Sequence, residues 1–229
     1  MEDFKFKQFI IQQNRRVFRV GTDGVLLGAL ASASNAQSGL EVGSGTGVVS
    51  LMLVQRYPSL RVTALDISQE AAALSQQNFN HSPFSNRLKA VQTDFLDFKT
   101  HEKFDFIFSN PPYFNAKESK DFTARQQVNL NFRQLIEGTR KLMAEDGIFS
   151  VILPQESATE LVDFARKNDF NLVRKIDVFG IENGKVKRNV LEFSLHHYPF
   201  IKEKFVIESR PRVYSEQYKK ATSEFHPMF

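Results

Sequence analysis

An apolar run that leads directly into a glycine-rich turn constrains the fold of this chain most. Residues 39–42 predict a buried strand, and Gly43-Ser44-Gly45-Thr46-Gly47 follows it at once. Val48, Leu51 and Met52 then recur at helical spacing, which predicts that a helix begins right after the glycines. A strand, a tight turn and a helix in this order are typical of an α/β fold built on a parallel sheet.

The spacing of the glycines narrows the kind of ligand that this turn can bind. A dinucleotide-binding fingerprint would place its third glycine where Val48 stands, and Gly47 comes one residue too early. The Gly-Lys-Ser/Thr of a P-loop is absent. The pattern Glu41-x-Gly43-x-Gly45-x-Gly47 instead lets the backbone approach a ligand at a helix N-terminus, where an anionic group such as a carboxylate is favoured.

Acidic residues follow the next two predicted strands. Residues 61–65 form a strand that ends in Asp66, about 20 residues past the glycines, where a carboxylate can accept both ribose hydroxyls. Residues 87–91 form another strand, and Asp94 and Phe95 come after it. Asp94 can accept a hydrogen bond from an adenine amine, with Phe95 packed nearby. The sequence therefore predicts an adenosine-containing ligand.

The turn Asn110-Pro111-Pro112-Tyr113 follows a fourth buried strand, residues 104–108. Two prolines fix two φ angles and remove two N–H donors, and Asn110 before them is restricted to an extended conformation. The Asn110 side-chain oxygen and the Pro111 carbonyl can hold both hydrogens of an exocyclic amine, and Tyr113 can stack on the base. Such a turn suits methylation of an aromatic amine.

The remaining elements follow from apolar spacing and capping residues. A β-hairpin is predicted from residues 4–12 and 16–20, with its turn at Asn14-Arg15. Further predictions are a helix over 25–33 capped by Thr22 or Asp23, a helix to Asn80 capped by Ser68, a helix from Val128 to Leu142 stopped by Gly147, a strand over 148–153, a helix through 158–165, and antiparallel strands at 170–179 and 189–195.

Size and composition place further bounds on the chain. Its 229 residues, 41% of them hydrophobic, predict one α/β domain, with a hairpin extension at 1–20 and a C-terminal extension at 202–229. No run of 18 apolar residues is present, so we expect no membrane contact. Because cysteine is absent, neither a disulfide nor a thiolate metal site is possible. A cytoplasmic protein without metal is the simplest interpretation, and the oligomeric state stays open.

Positive charge is concentrated in three peripheral segments. Residues 1–19 carry five basic and two acidic side chains, residues 174–188 carry the same numbers, and residues 202–224 carry six and four, although the whole chain has a net charge of only +4. This distribution favours contact with a polyanion such as nucleic acid. The candidate RNA-contacting residues are Arg15, Arg16, Arg125, Lys185, Lys187, Arg188, Arg210 and Arg212.

The succession of glycine turn, Asp66, Asp94 and Asn-Pro-Pro-Tyr resembles the class I S-adenosylmethionine-dependent methyltransferases of amino groups. Within them, the whole chain resembles the tRNA1(Val) (adenine37-N6)-methyltransferase family. The closer match is carried by Phe9, Val20-Gly21-Thr22-Asp23-Gly24-Val25-Leu26-Leu27-Gly28, Asn110-Pro111-Pro112-Tyr113-Phe114, Ala124-Arg125, Leu130 and Tyr214-Ser215-Glu216-Gln217-Tyr218. The segment from Val20 to Gly28 is the most specific of these.

The resemblance implies a Rossmann-like seven-stranded sheet of order 3-2-1-4-5-7-6, with strand 7 antiparallel and helices on both faces. It implies transfer of a methyl from S-adenosylmethionine to N6 of the adenosine 3′ of the anticodon in valine tRNA, with the anticodon stem-loop as partner. Asn110, Pro111, Pro112 and Tyr113 would act on the base. The residues implied at the cofactor are Thr22, Asp23, Glu41, Gly43, Gly45, Gly47, Asp66, Ile67, Asp94 and Phe95.

Other functions are compatible with the same motifs. An amino-methyltransferase could act instead on a guanine amine of ribosomal RNA, on DNA adenine or on a protein glutamine amide. A non-catalytic RNA-binding protein that kept the fold is a different class of function, although the intact glycine turn and Asp66 argue against it.

Overall fold

The computed structural model describes residues 2–111 and 130–227. The helices among them are α1 Thr22–Leu30, α2 Val48–Arg56, α3 Gln69–Asn80, α4 Phe132–Leu142, α5 Gln155–Arg166 and α6 Glu216–Thr222. The strands are β1 Phe4–Lys5, β2 Ile10–Ile11, β3 Ser38–Val42, β4 Arg61–Asp66, β5 Leu88–Gln92, β6 Phe104–Ser109, β7 Met143–Pro154, β8 Asn171–Ile181, β9 Val186–Ser194, β10 Ile201–Arg210 and β11 Val213–Tyr214.

The main sheet confirms the predicted strand order and extends it. Its order is β11-β10-β8-β9-β7-β6-β3-β4-β5, so the seven strands from β5 to β8 reproduce 3-2-1-4-5-7-6. β9 is antiparallel to both β7 and β8, as expected for strand 7. The count of seven is wrong because β10 adds to β8 in parallel and β11 pairs with β10, which makes nine strands.

Apolar side chains cover both faces of the sheet. Along β6, Phe106 and Phe108 belong to one buried cluster with residues of α1 and α2, whereas Ile107 belongs to a second cluster with residues of α4 and α5. This alternation follows from the two-residue period of a strand. The predicted arrangement of helices on both faces is therefore confirmed.

The N-terminal hairpin is present but shorter than predicted. β1 pairs with β2 in antiparallel register between residues 4 and 11, and residues 16–20 form no strand. The Asn14 side chain accepts hydrogen bonds from the Arg16 and Val17 N–H groups, and Gln13 accepts one from Val20. These side chains satisfy backbone groups that a second strand would have used.

Two local predictions about helix ends are wrong. Gly21, in extended conformation, is the N-cap of α1, so Thr22 and Asp23 lie inside its first turn and make no capping bond. Gly147 does not stop a helix, because α4 already ends at Leu142 and Gly147 lies inside β7. A Cβ there would lie 3.0 Å from the Phe104 carbonyl, at the register shift between β6 and β7, where the close approach requires glycine.

The C-terminal extension belongs to the sheet. The Gln217 side chain accepts from the Val206 N–H at 3.0 Å and donates to the Lys204 carbonyl at 3.2 Å, which satisfies backbone groups at the edge of β10. Ser215 caps α6 by accepting from the Tyr218 N–H. Lys7 donates its N–H to the Phe225 carbonyl, so the two ends of the chain are joined.

Candidate active site

The carboxyl ends of β3, β4, β5 and β6 meet at one edge of the sheet, because these strands are mutually parallel. A cavity of about 550 Å³ opens there. The predicted site residues that line it are Thr22, Asp23, Glu41, Gly43, Gly45, Asp66, Ile67, Asp94, Phe95, Asn110, Pro111 and Arg188. Pro112, Tyr113 and Arg125 lie outside the described residues.

The glycine turn takes a backbone conformation that other residues adopt at a cost. Gly43, Gly45 and Gly47 have φ angles of 81°, 54° and 78°. The Gly43 and Ser44 N–H groups both donate to the Leu65 carbonyl, which ties the turn to β4. A Cβ on Gly43 or Gly45 would meet nothing within 4 Å, so both glycines leave the turn open to the cavity.

Gly47 differs from the other two glycines, since it is not among the residues that line the cavity. A Cβ on Gly47 would lie 2.5 Å from the ring of Phe79 in α3. Its contact is therefore with the core rather than with a ligand.

Asp66 is oriented by two backbone groups. Its Oδ2 accepts from the Gly45 N–H and its Oδ1 from the Ser68 N–H, each at 2.9 Å. Burial raises the pKa of Asp66, and these two hydrogen bonds oppose that shift. Since each carboxylate oxygen can accept a second hydrogen bond, Asp66 can still accept hydrogen bonds from the hydroxyl groups of a ligand.

Glu41 is buried beneath the glycine turn and accepts a hydrogen bond from the Ser50 hydroxyl. Burial raises the pKa of Glu41 to about 8, and the nearby charge of Asp66 adds to the shift. The carboxyl group is therefore mostly neutral at pH 7.

Asp94 and Phe95 form the part of the wall that follows β5. The Asp94 Oδ1 accepts from the Leu96 N–H at 2.9 Å, which holds the side chain in a tight turn. Phe95 is buried, and a Cβ on Gly138 of α4 would lie 2.4 Å from its ring. Ile67 is half-exposed on the same cavity.

Asn110 and Pro111 reach the cavity directly from the end of β6. The Ser109 hydroxyl before them donates to the Val42 carbonyl at 2.7 Å, which couples this turn to the end of β3. The Asn110 amide nitrogen lies 3.9 Å from the position that a Cβ would take on Gly24. The amide is therefore held between the glycine turn and the first turns of α1.

The segment before and within α1 supplies residues that sequence reasoning missed. Phe18 and Arg19 line the cavity, and no local signal identified them. Gly24 and Gly28 allow α1 to approach α2 closely, since a Cβ on Gly28 would lie 2.8 Å from Met52. Their i, i+4 spacing was the signal available for this contact.

Asn78 of α3, also missed, links the N-terminal segment to the glycine turn. Its amide nitrogen donates to the carbonyls of Thr46 and Gln12, and its oxygen accepts from the Gln12 N–H. The side chain is fully buried. It therefore holds in place the chain that leads to Phe18 and Arg19.

The predicted RNA-contacting residues fall into separate groups. Lys185, Lys187, Arg210 and Arg212 are exposed at or near the ends of β8, β9 and β10. Arg15 and Arg16 are exposed before α1, with Arg16 3.9 Å from Glu70. Arg188 is instead half-buried, and its Nε lies 2.8 Å from the Asp23 Oδ2.

The described residues, 2–111 and 130–227, contain neither a metal-binding cluster nor a membrane-spanning helix. No group of three or more histidine, aspartate or glutamate side chains among them is placed to hold a metal ion. None of the helices in this part of the chain is long and apolar enough to cross a membrane.

Solved structures of methyltransferases share this fold. A predicted O-methyltransferase of Agrobacterium tumefaciens superposes with a TM-score of 0.72 at 17% identity, over 89% of this chain and 96% of that one. A glycopeptide N-methyltransferase complexed with S-adenosylmethionine superposes with a TM-score of 0.55 at 14% identity, over 79% of this chain and 90% of that one. The chain therefore has the fold of the class I methyltransferases.

Sequence relatives identify the family more closely. Residues 17–166 match the methyltransferase small domain. The chain is 49% identical over 228 residues to the tRNA1(Val) (adenine(37)-N6)-methyltransferase of Flavobacteriaceae bacterium strain 3519-10, covering 99% of both chains. This chain therefore belongs to the tRNA1(Val) (adenine(37)-N6)-methyltransferase family.

The residues present fit S-adenosylmethionine, the methyl donor of class I methyltransferases. The glycine turn presents open backbone at the N-terminus of α2, where the carboxylate of the methionine moiety is favoured. The Asp66 carboxylate is oriented and has acceptor capacity for ribose hydroxyls. The apolar side chains of Ile67 and Phe95 stand next to Asp94, where an adenine ring with an amine donor fits.

Proposed function

We propose that the protein transfers a methyl group from S-adenosylmethionine to N6 of adenosine 37 in valine tRNA. The observation that carries the proposal is that Asn110 and Pro111 line the same cavity as the glycine turn and Asp66. An acceptor for an amine and a site for the donor are thereby adjacent. The full-length similarity to relatives named for this reaction supports the choice of substrate.

Different residues of the proposed donor site bind different parts of S-adenosylmethionine. Gly43 and Gly45 present their backbone to the methionine end of the donor, and Thr22 and Asp23 lie beside it. Asp66 accepts hydrogen bonds from the ribose hydroxyls. The adenine is surrounded by Asp94, Ile67 and Phe95. Glu41 lines the same cavity, and the Ser50 hydroxyl donates a hydrogen bond to it. When bound, the donor supplies an electrophilic methyl group on a sulfonium.

Asn110 and Pro111 act on the acceptor amine in this proposal. The lone pair of adenine N6 is delocalised into the ring, so the free amine is a poor nucleophile. Two oxygens, the Asn110 side-chain oxygen and the Pro111 carbonyl, accept its two hydrogens and direct the lone pair at the methyl. Such positioning can lower a barrier by several kcal/mol, up to roughly 7–11 kcal/mol in the best cases. The methylated amine is an acidic cation and loses its proton afterwards.

Pro112 and Tyr113 complete the proposed acceptor site. Pro112 stiffens the turn, and Tyr113 stacks on the target base, which contributes roughly 1–3 kcal/mol. A base in an anticodon loop is already partly unstacked, so bringing it into the cavity costs about a few kcal/mol at most. We also propose a cytoplasmic location, where such a tRNA substrate is available.

The test is methyl transfer from labelled S-adenosylmethionine to total tRNA from a strain that lacks this modification, followed by nucleoside mass spectrometry. The proposal expects N6-methyladenosine confined to position 37 of one valine tRNA. Transfer to ribosomal RNA, DNA or a protein glutamine would retain the enzyme class and discard the substrate. RNA binding with no affinity for S-adenosylmethionine in calorimetry would favour a non-catalytic RNA-binding protein.

A further inference from the structure

The two strands that the C-terminal extension adds also lengthen the edge of the sheet that holds the active site. β8 and β10 are parallel to β7, so they end at this edge, and the antiparallel β9 begins there. Residues 182–188 and 208–212 lie along it and contain five basic and two acidic side chains. The edge therefore continues away from the cavity with an excess of positive charge.

Four cations on this edge form no ion pair with another residue in the part of the chain that the structure describes. Lys185, Lys187, Arg210 and Arg212 are exposed, and none of them forms an ion pair with any of residues 2–111 and 130–227. Basic residues elsewhere on the same strands are paired: Arg174 contacts Glu192 and Glu203, and Lys175 and Lys202 both contact Asp177. Unpaired cations at one edge favour an anion from outside the protein.

Arg212 stands in a conformation that its side chain disfavours. Its φ angle is 65°, in the left-handed region, and its N–H donates to the Glu208 carboxylate at 3.2 Å. Glycine would take this turn between β10 and β11 without a steric penalty. An arginine there is better explained by what its guanidinium contacts than by the turn itself.

The spacing and register of the strands give the distance from the end of β6 to the end of β10. From β6, which carries Asn110, the order runs through β7, β9 and β8 to β10. In register, the end of β6 at Ser109 is level with Lys202 of β10, so four steps of about 4.8 Å place Lys202 roughly 19 Å away. β10 runs on to Arg210, and at about 3.3 Å per residue its end extends roughly 26 Å beyond that level, which places it roughly 32 Å from the end of β6. That length corresponds to roughly nine nucleotides of a stacked strand.

We propose that this edge, formed by Lys185, Lys187, Arg210 and Arg212, binds the phosphodiester backbone of the RNA stem next to the methylated base. The inference rests on the proposed function, since it assumes that an RNA base occupies the cavity. Exposed cations at the ends of neighbouring strands suit backbone phosphates, which position a nucleic acid without reading its sequence. Arg188 is a positioning residue for Asp23 and does not belong to this surface.

The test measures binding of an anticodon stem-loop RNA between 50 and 300 mM salt for a double variant, Lys185→Ala with Arg212→Gly. Each lost phosphate contact should lower the slope of log K against log salt by about 0.7–0.9, so the double variant should lose about 1.4–1.8. A matched control, Arg166→Ala with Lys167→Ala, removes the same charge near the amino end of β8. The control slope should equal that of the wild type.

A further measurement separates loss of RNA binding from loss of folding. Arg212→Gly alone should melt no lower than the wild type because glycine relieves the backbone strain. An unchanged slope in the double variant, or an equal loss in the control, would overturn the proposed surface. So would a wild-type protein whose affinity for the stem-loop does not depend on salt.

Failure of this inference and failure of the proposed function can be told apart. A wild type that forms N6-methyladenosine in tRNA, with identical salt slopes for wild type and double variant, contradicts only the binding surface. The opposite result is a wild type that methylates no tRNA, together with a double variant, Lys185→Ala with Arg212→Gly, whose RNA binding depends less on salt than that of the wild type. This result contradicts only the proposed function.

Discussion

Arg188 and Asp23 form an ion pair at the rim of the cavity, with 2.8 Å between the arginine Nε and the aspartate Oδ2. The pair joins β9 to the first turn of α1 across 165 positions of the chain. Both residues line the cavity. The pair therefore sets where the Asp23 carboxylate stands relative to the donor site.

We expect Arg188→Gln to weaken binding of S-adenosylmethionine by about fivefold, because a loss of roughly 1 kcal/mol is typical of a partly exposed pair. Asp23→Asn should have a similar effect, and the double variant should lose little more than either single one. Calorimetric titration of the four proteins checks this double-mutant cycle. Additive losses would show that the two residues act independently.

Asn110→Ala should retain donor binding and lose turnover by at least about 100-fold, as expected when a positioned group at the reacting atom is removed. The physical reason is that Asn110 acts on the acceptor amine and not on the donor. Calorimetry and a single-turnover methylation assay measure the two quantities. Asn86→Ala, an exposed asparagine at the opposite edge of the sheet, is the control and should change neither. Equal losses of donor affinity and turnover in Asn110→Ala would contradict the assignment.

Two glycines of the same turn should respond differently to alanine. Gly47→Ala should destabilise the fold by about 3 kcal/mol, because the methyl group would collide with Phe79 and the φ angle of 78° is strained. Gly45→Ala should cost only about 1 kcal/mol, since no atom lies within 4 Å of its Cβ, but its methyl would occupy the cavity and weaken donor binding. Urea denaturation and calorimetry separate the two effects. A stable Gly47→Ala protein with weakened donor binding would reverse the interpretation.

The buried Glu41 makes stability depend on pH. The pKa of Glu41 in the folded protein is about 8, whereas the ordinary pKa of a glutamate is 4.5. The native state therefore binds more protons between these values, so the contribution of Glu41 to stability is full below pH 4.5, falls as pH rises to about 8 and is constant above it. The slope should reach at most about 1.4 kcal/mol per pH unit.

Glu41→Gln removes this dependence while keeping an acceptor for the Ser50 hydroxyl. We expect its free energy of unfolding to change less between pH 5 and 8 than that of the wild type, and to exceed the wild-type value at pH 9. Chemical denaturation across this range measures both. Parallel pH profiles for the two proteins would show that Glu41 is not the titrating group.

Much of the site was predictable because its residues follow strands that local patterns identify. The glycine turn, Asp66, Asp94 and Asn110 each come directly after an apolar run, and parallel strands bring their ends to one edge. Local patterns failed where side chains replaced backbone pairing, as at residues 16–20, where a strand was expected and the Asn14 side chain instead accepts from the Arg16 and Val17 N–H groups. They also failed at Gly147, whose close approach to the Phe104 carbonyl depends on a neighbouring strand.

The C-terminal extension is a second case in which local patterns did not predict long-range pairing. The C-terminal extension was predicted over residues 202–229 without a place in the sheet, and in the structure residues 201–210 pair in parallel with β8, beginning with Ile201 opposite Arg174. The role of the segment from Tyr214 to Tyr218 was not apparent either. In the structure, Ser215 caps α6 and Gln217 satisfies the backbone of β10.

The sequence by itself determined the succession along the chain of β3, the glycine turn, α2, β4, α3, β5 and β6, because these depend on apolar periodicity and on the backbone freedom of glycine. Only the tertiary structure decided that Arg188 pairs with Asp23, that Asn78 holds the N-terminal segment against the glycine turn, and that β10 lengthens the active-site edge. These contacts join residues far apart in the chain. They exist only once the strand order is set, and strand order is a property of long-range pairing that no local pattern encodes.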